Sequence, residues 1–288
     1  MIQLTESKSN WTETISPKSH LFDFKLNEVW QYRDLLLLFV KRDFVAQFRQ
    51  TILGLLWHLI QPVLTTIMFL LLFNKIAKIT TGNLPPLLFY LSSITIWNYF
   101  SACLSSSSTT FISNAGIFGK VYFPRLVMPL SKILSNLVKF GIQLSLLLVV
   151  IAYYSYTNQF FVHLGWNNLL FFFIVIMMAA VGLGVGIIIS SLTTKYRDFA
   201  ILISFGTQLL MYITPVVYPL AYLQDSRYRT MIQWNPLTPL VEGFRYSLFK
   251  EGSFSPYFFI YSFLFAFITL FIGIILFNKV EKTFMDTV

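Results

Sequence analysis

Lys132 and Lys139 are the only charged residues inside the long apolar runs of this chain. A carrier driven by protons or sodium ions needs carboxylates at membrane depth, and these runs contain none. Lys132 is near enough to the end of its run to reach water by stretching its stem. Lys139 lies deeper, where a lysine faces a partner helix or a wet path. Gly182, Gly184 and Gly186, in the string GLGVG, imitate a nucleotide fingerprint. They sit inside an apolar run rather than after a soluble strand, so their small size instead predicts close helix approach. No G-x-x-x-x-G-K-[ST] phosphate loop occurs. Active transport would therefore draw its energy from a second polypeptide. His20, His58 and His163 are too scattered for a metal site. Cys103 is a lone cysteine and closes no disulfide within the chain. With no Ser-His-Asp set and no carboxylate pair, an enzyme, including a membrane transferase, is not expected.

Aromatic residues make up 18% of the chain. Most suit lipid-facing bulk or interfacial belts. Trp97, Tyr99 and Phe100 in the second run, and Tyr212 and Tyr218 in the fifth, are candidates for a ring-lined path. Rings stack on sugar faces, and such a path would let a neutral polymer slide.

The elements that position these residues follow from composition. The 288 residues are 56% hydrophobic and 11% charged, whereas soluble domains carry roughly 25% charged residues. The solvent for this much apolar surface is lipid, and an all-α polytopic membrane protein is expected. Six runs have about the 20 residues that a span requires: Ile52–Asn74, Pro86–Leu104, Leu126–Tyr154, Asn168–Leu192, Phe199–Leu220 and Pro256–Asn278. Pro62, Pro215 and Pro219 should kink or end helices. The net charge of +9 sits in the loops between runs, which argues for membrane topology rather than nucleic-acid binding. Lysines and arginines before the first run, around Gly119, around Tyr196 and in the tail outnumber those on the other side. Both termini are therefore expected in the cytoplasm of a multi-pass protein of the cytoplasmic membrane.

Four regions result. Residues 1–23 form a polar arm without the apolar core of a signal peptide. Residues 24–50 form one amphipathic helix, with Leu37, Val40, Phe44 and Phe48 opposite Gln31, Arg42 and Arg49. It should lie in the interface, with Trp30 and Tyr32 at headgroup depth. Residues 51–279 hold the six spans, and 280–288 a tail. Between the fifth and sixth spans, about 221–254, a pair of short helices is expected to dip into the outer leaflet. Pro236 and Pro239 mark the start of the second. Glu242 and Arg245 share a face there, and a seventh span is rejected because it would bury both charges. The segment would form an outer gate or a surface cap.

Thr109 to Pro129, TTFISNAGIFGKVYFPRLVMP, is longer than a hairpin between spans requires. It joins bulky apolar groups to Lys120 and Arg125. Two readings fit: a helix, about 110–125, that presses into a groove on a motor protein, or a basic loop that fixes topology.

The order of parts resembles a known family. WQYRDLLLLFVKRDFVAQFRQTILGLLWHLIQP leads into the first span, and KVYFPRLVMPLS follows the second. TKYRDF precedes a span with YITPVVYP; NPLTPLVEGFRYSLF and a tail with VEKTFMDTV follow. From Val29 onward the chain resembles the permease subunit of polysaccharide exporters of the type-2 ABC transporter class, which move O-antigen, capsule and teichoic acid chains. The resemblance implies a homodimer of six-span subunits with two nucleotide-binding ATPase subunits. ATP and magnesium would reside on those partners, with no cofactor on this chain. It implies a lipid-linked polysaccharide cargo moving along the dimer interface. It also implies a gate helix around Trp30, Arg33, Asp34, Arg42 and Asp43, and an ATPase-coupling helix including Gly116, Phe118, Lys120, Phe123 and Arg125. A periplasmic gate would include Pro236, Glu242 and Arg245. The conduit aromatics Trp97, Tyr99, Phe100, Tyr212 and Tyr218 rest on the residues alone. A permease for a drug or small lipid, and a non-transporting membrane scaffold, are the alternatives.

Overall fold

A computed structural model describes residues 26–49, 52–118, 123–157, 167–193, 196, 198–223 and 227–287. Among them every regular element is helical. The helices are α1 (Leu26–Gln31), α2 (Arg33–Phe48), α3 (Trp57–Phe69), α4 (Pro86–Ser108), α5 (Thr110–Phe118) and α6 (Val127–Tyr156). After these come α7 (Asn167–Thr193), α8 (Phe199–Ile213), α9 (Tyr228–Gln233), α10 (Thr238–Phe249) and α11 (Pro256–Thr287).

Five helical stretches are long and apolar enough to cross a membrane: Gly54–Ile76, Pro86–Ser108, Val127–Tyr156, Leu169–Thr193 and Pro256–Val280. The expected span Phe199–Leu220 is not among them. Its helix, α8, has 15 residues, or about 22 Å at 1.5 Å per residue, against roughly 30 Å of hydrocarbon. Thr214 is extended (φ −89, ψ 143) because the following proline disfavours helical backbone. The six-span expectation thus becomes five full-length stretches and one short apolar helix. The chain continues from α8 as buried, non-helical backbone through Thr214, Pro215, Val216 and Val217. Pro62 does not end α3, and a wider π-helical turn extends it over Leu70–Ile76.

α4 is the central element and packs against α3, α6, α7 and α10. Every residue from Leu88 to Trp97 is buried. Its hydroxyls tolerate burial because they donate to carbonyls one turn back. Ser92 and Ser93 donate to the Phe89 carbonyl, and Thr95 donates to that of Leu91.

The glycines of α7 divide between two neighbours. A Cβ on Gly182 would lie 2.8 Å from Cys103 Cβ of α4, and one on Gly186 would lie 2.5 Å from Ser107 Cβ. A Cβ on Gly184 would lie 2.7 Å from the Leu270 nitrogen of α11. That neighbour is backbone and cannot rotate aside. Gly184→Ala should therefore lower stability by about 1–3 kcal/mol through overpacking. Gly206→Ala, with nothing within 4 Å of the new Cβ, should be neutral or mildly stabilising. Thermal unfolding of the two variants in detergent checks the contrast.

The expected single helix over 24–50 is broken at Tyr32 into α1 and α2. Its apolar side also differs from the expected Leu37, Val40, Phe44 set. Phe39 is buried and Leu35 and Leu36 pack beside it, while Leu37, Leu38 and Val45 are exposed. The run LLLLFV puts apolar groups all round α2, so no single hydrophobic stripe exists. Phe48 lies outside the described side chains.

Candidate functional site

Two clusters of polar and aromatic side chains stand at opposite ends of the bundle. The first joins α2, α5, α6 and α11. Asp43 accepts hydrogen bonds from Arg42 Nε at 3.1 Å, Arg42 Nη2 at 2.8 Å and Lys132 Nζ at 2.6 Å. Lys132 therefore ties α6 to α2 instead of stretching to solvent. The Arg42 guanidinium also lies 4.7 Å from the Phe39 ring centroid.

From Phe39 a run of rings crosses the junction. Phe39 meets Phe123 at 5.8 Å, Phe123 meets Phe118 at 5.9 Å, and Phe118 meets Phe111 at 6.1 Å. Phe111 stacks on Phe277 of α11 at 4.5 Å. Arg125 lies 5.5 Å from the Phe118 ring. Phe118 and Phe123, expected to face a motor protein, are thus buried inside this chain. They fix where α5 sits. The outward side of α5 carries Ile112, Ser113 and Gly116, all exposed. Lys120 lies outside the described residues.

The remaining gate-helix residues point away from this cluster. Trp30 is 70% exposed, with Arg33 5.8 Å from its ring, and Asp34 is exposed. Burial alone raises the Asp43 carboxyl. Hydrogen bonds from Lys132 and Arg42, with their charges, outweigh this and hold it below its ordinary value. A depressed carboxyl contributes stability that is present above its unfolded value, about pH 4, and is lost as pH falls through the lower folded value. Amide-exchange protection of α2 should therefore be flat from neutral pH to about pH 4 and fall below it. Asp43→Asn should speed exchange across α2 by about fivefold to tenfold at neutral pH, a modest figure because the pair is partly open to solvent.

The second cluster holds the broken end of α8 against α10 and α4. Arg245 Nη2 donates to Glu242 Oε1 at 2.6 Å, and both side chains are at most 2% exposed. Arg245 Nη1 donates to Ser93 Oγ of α4 and to the Pro215 carbonyl, each at 2.8 Å. Glu242 accepts from the backbone N–H of Leu220 on Oε1 and of Ser253 on Oε2, each at 3.0 Å. The Phe89 ring lies 4.3 Å from the guanidinium. Asn235 Nδ2 donates to Thr214 Oγ1 at 2.9 Å, and Ser262 Oγ donates to the Pro236 carbonyl at 2.7 Å. The expectation that these charges stay unburied is therefore corrected: α10 is a 12-residue helix buried at every position from Thr238 to Arg245. The charges tolerate it because they pair with each other and hydrogen-bond to Ser93, the Pro215 carbonyl and the N–H groups of Leu220 and Ser253. This is how non-helical backbone after α8 is satisfied inside protein.

The five candidate conduit rings do not come together. Trp97 packs on Phe100 at 5.3 Å and Tyr99 on Phe140 at 5.0 Å, and all three candidates of α4 are buried. Tyr212 is 46% exposed. The Tyr218 hydroxyl donates to the Tyr212 and Ile213 carbonyls, capping the end of α8. Phe39, Phe277 and Ser93 matter to the two clusters and carry no local sequence signal. Their partners lie far along the chain.

A family model described as ABC-2 type transporter matches residues 34–249. The O-antigen export system permease protein RfbA of Myxococcus xanthus is 29% identical over 228 residues, which cover 78% of this chain and 84% of that protein. A protein of the same name from Klebsiella pneumoniae is 27% identical over 258 residues, covering 88% and 94%. The polysialic acid transport protein KpsM of Escherichia coli is 23% identical over 254 residues, covering 85% and 93%. The matched residues run from the first turn of α2 to the end of α10 and hold most of both clusters, with Phe277 of the first and Ser253 and Ser262 of the second lying beyond them; the chain belongs to the ABC-2 type transporter family.

Proposed function

We propose that this chain is the membrane-spanning permease subunit of an exporter that moves a lipid-linked polysaccharide across the cytoplasmic membrane. A separate nucleotide-binding subunit, carrying ATP and magnesium, supplies the energy. The observation that carries the reading is α5. It is anchored inward by Phe111 and Phe118 and turned outward at Ile112, Ser113 and Gly116. A rigid, internally braced helix with one free side is what a motor can push. The ring run then links that push to α2 and α11. The names of the relatives support a glycan cargo.

In this reading both termini and α5 face the cytoplasm, following the lysine and arginine distribution. Two copies of the chain assemble with two ATPase subunits. The apolar, exposed side of α8, with Ile201, Leu202, Phe205 and Leu209, suits contact with a second copy. Tyr212 then stands beside the path, and the buried rings of α4 shape its wall from behind. α1 and α2 form the gate for the lipid-linked end, with Trp30, Arg33 and Asp34 at the interface. The Glu242–Arg245 cluster, with Pro236, frames the outer gate.

The test is a strain from which this gene has been deleted. Surface glycan should disappear while lipid-linked glycan accumulates inside, and the intact gene should restore export. Normal surface glycan in the deleted strain would sink the reading.

A further inference from the structure

A polar cleft of about 350 Å³ lies between α2, α3, α4 and α6. His58 and Gln61 of α3, Asn98 of α4, and Asn136, Lys139 and Gln143 of α6 line it. Among the described residues no aspartate or glutamate lines it. All six of the named residues belong to stretches apolar enough to cross a membrane, where polar groups gathered together are rare and functional. Neither cluster described above uses them.

Lys139 sets the chemistry. Among the described residues its ammonium makes no hydrogen bond and no ion pair. Asp43 and Lys132 both act on it electrostatically, but Asp43 already holds Lys132 and Arg42. Asn98 Nδ2 lies 3.5 Å from Gln143 Oε1, at the limit of a hydrogen bond, so amide donors remain available. A cation with amide donors and no carboxylate selects an oxygen-rich anion. The volume is at the small end for ligand pockets and suits a headgroup rather than a chain of sugars. Leu137 and Val138 beside Lys139, and Leu64, Ile67 and Met68 on α3, are exposed apolar groups. They offer an acyl or prenyl tail a surface to follow. Gln47 of α2 also lines the cleft, so an occupant touches the same helix that Asp43 anchors.

We infer that this cleft binds the phosphate head of a membrane lipid, with Lys139 supplying the charge and Gln61, Asn98 and Gln143 the hydrogen bonds. The inference requires no particular cargo. Only the identification of that lipid as a glycan carrier would rest on the export reading above.

The purified full chain in neutral detergent is titrated with phosphatidylglycerol, with polyprenyl phosphate and with diacylglycerol, which lacks phosphate. At least one phosphate lipid should bind and diacylglycerol should not. Lys139→Gln should weaken binding by about tenfold, the loss of one charge-assisted hydrogen bond. Lys139→Arg should recover most of it, and Gln143→Leu should weaken it severalfold. Lys139→Gln removes a charge that makes no hydrogen bond or ion pair among the described residues, so elution volume and unfolding temperature should hold. Equal binding of both phosphate lipids supports the cleft as a general phospholipid site. Binding of polyprenyl phosphate alone supports it as a carrier site. Phosphate-independent binding, no binding of either phosphate lipid, or affinity unchanged in Lys139→Gln overturns the inference.

Discussion

Arg245→Ala should destabilise the folded chain by about 3–5 kcal/mol, the loss expected when one partner of a buried ion pair is removed. The substitution takes three hydrogen bonds away: those to Glu242, Ser93 and the Pro215 carbonyl. It leaves the Glu242 carboxylate, 2% exposed, with only the N–H groups of Leu220 and Ser253. The non-helical backbone after α8 then loses its link to α4 and α10 at once. The unfolding temperature in detergent should drop sharply and little folded protein should be recovered. The paired change Glu242→Gln with Arg245→Met should recover much of that stability, because a buried pair replaced by neutral groups of similar volume is often tolerated. An Arg245→Ala protein as stable as the parent would contradict the burial described for this pair.

In the proposed complex, Gly116→Glu should break the association with the ATPase subunit while leaving this chain intact. Nothing in the chain lies within 4 Å of a Cβ built at Gly116, and the residue is exposed on the outward side of α5. Copurified ATPase should fall by about tenfold or more, the equivalent of at least 1.4 kcal/mol. Stability of the isolated chain should not change. Phe118→Ala makes the informative contrast. It removes a buried ring from the Phe111–Phe118–Phe123 run and should cost about 3–5 kcal/mol of stability. Loss of export in that variant would report on folding and not on docking. Unchanged copurification with Gly116→Glu would remove α5 from the proposed interface.

The long helices were legible because apolar runs of span length leave the backbone few choices in lipid, and α3, α4, α6, α7 and α11 follow those runs closely. Gly182, Gly184 and Gly186 signalled close packing correctly, although their division between α4 and α11 depends on a third dimension that spacing does not encode. The end of α8 was half legible: Pro215 and Pro219 were visible, yet hydropathy carried the expected span on to Leu220. Glu242 and Arg245 misled because charge alone argues for water. Their burial depends on Ser93, Leu220 and Ser253, partners that pattern cannot identify. Phe118 and Phe123 misled in the opposite sense. Apolar groups in a loop suggest an external partner, but Phe39 and Phe277 arrive from distant parts of the chain to cover them. On α2, a run of leucines hid which side packs, and the Asp43–Lys132 contact decides it.

ATP-dependent movement of a lipid-linked glycan in proteoliposomes holding this chain and its ATPase partner tests the central claim most directly. The account predicts outward movement that requires both chains and ATP, and that is lost with Gly116→Glu although the chain remains folded. Movement that persists without the ATPase, or a reconstituted pair that hydrolyses ATP and leaves the glycan in place, would contradict it.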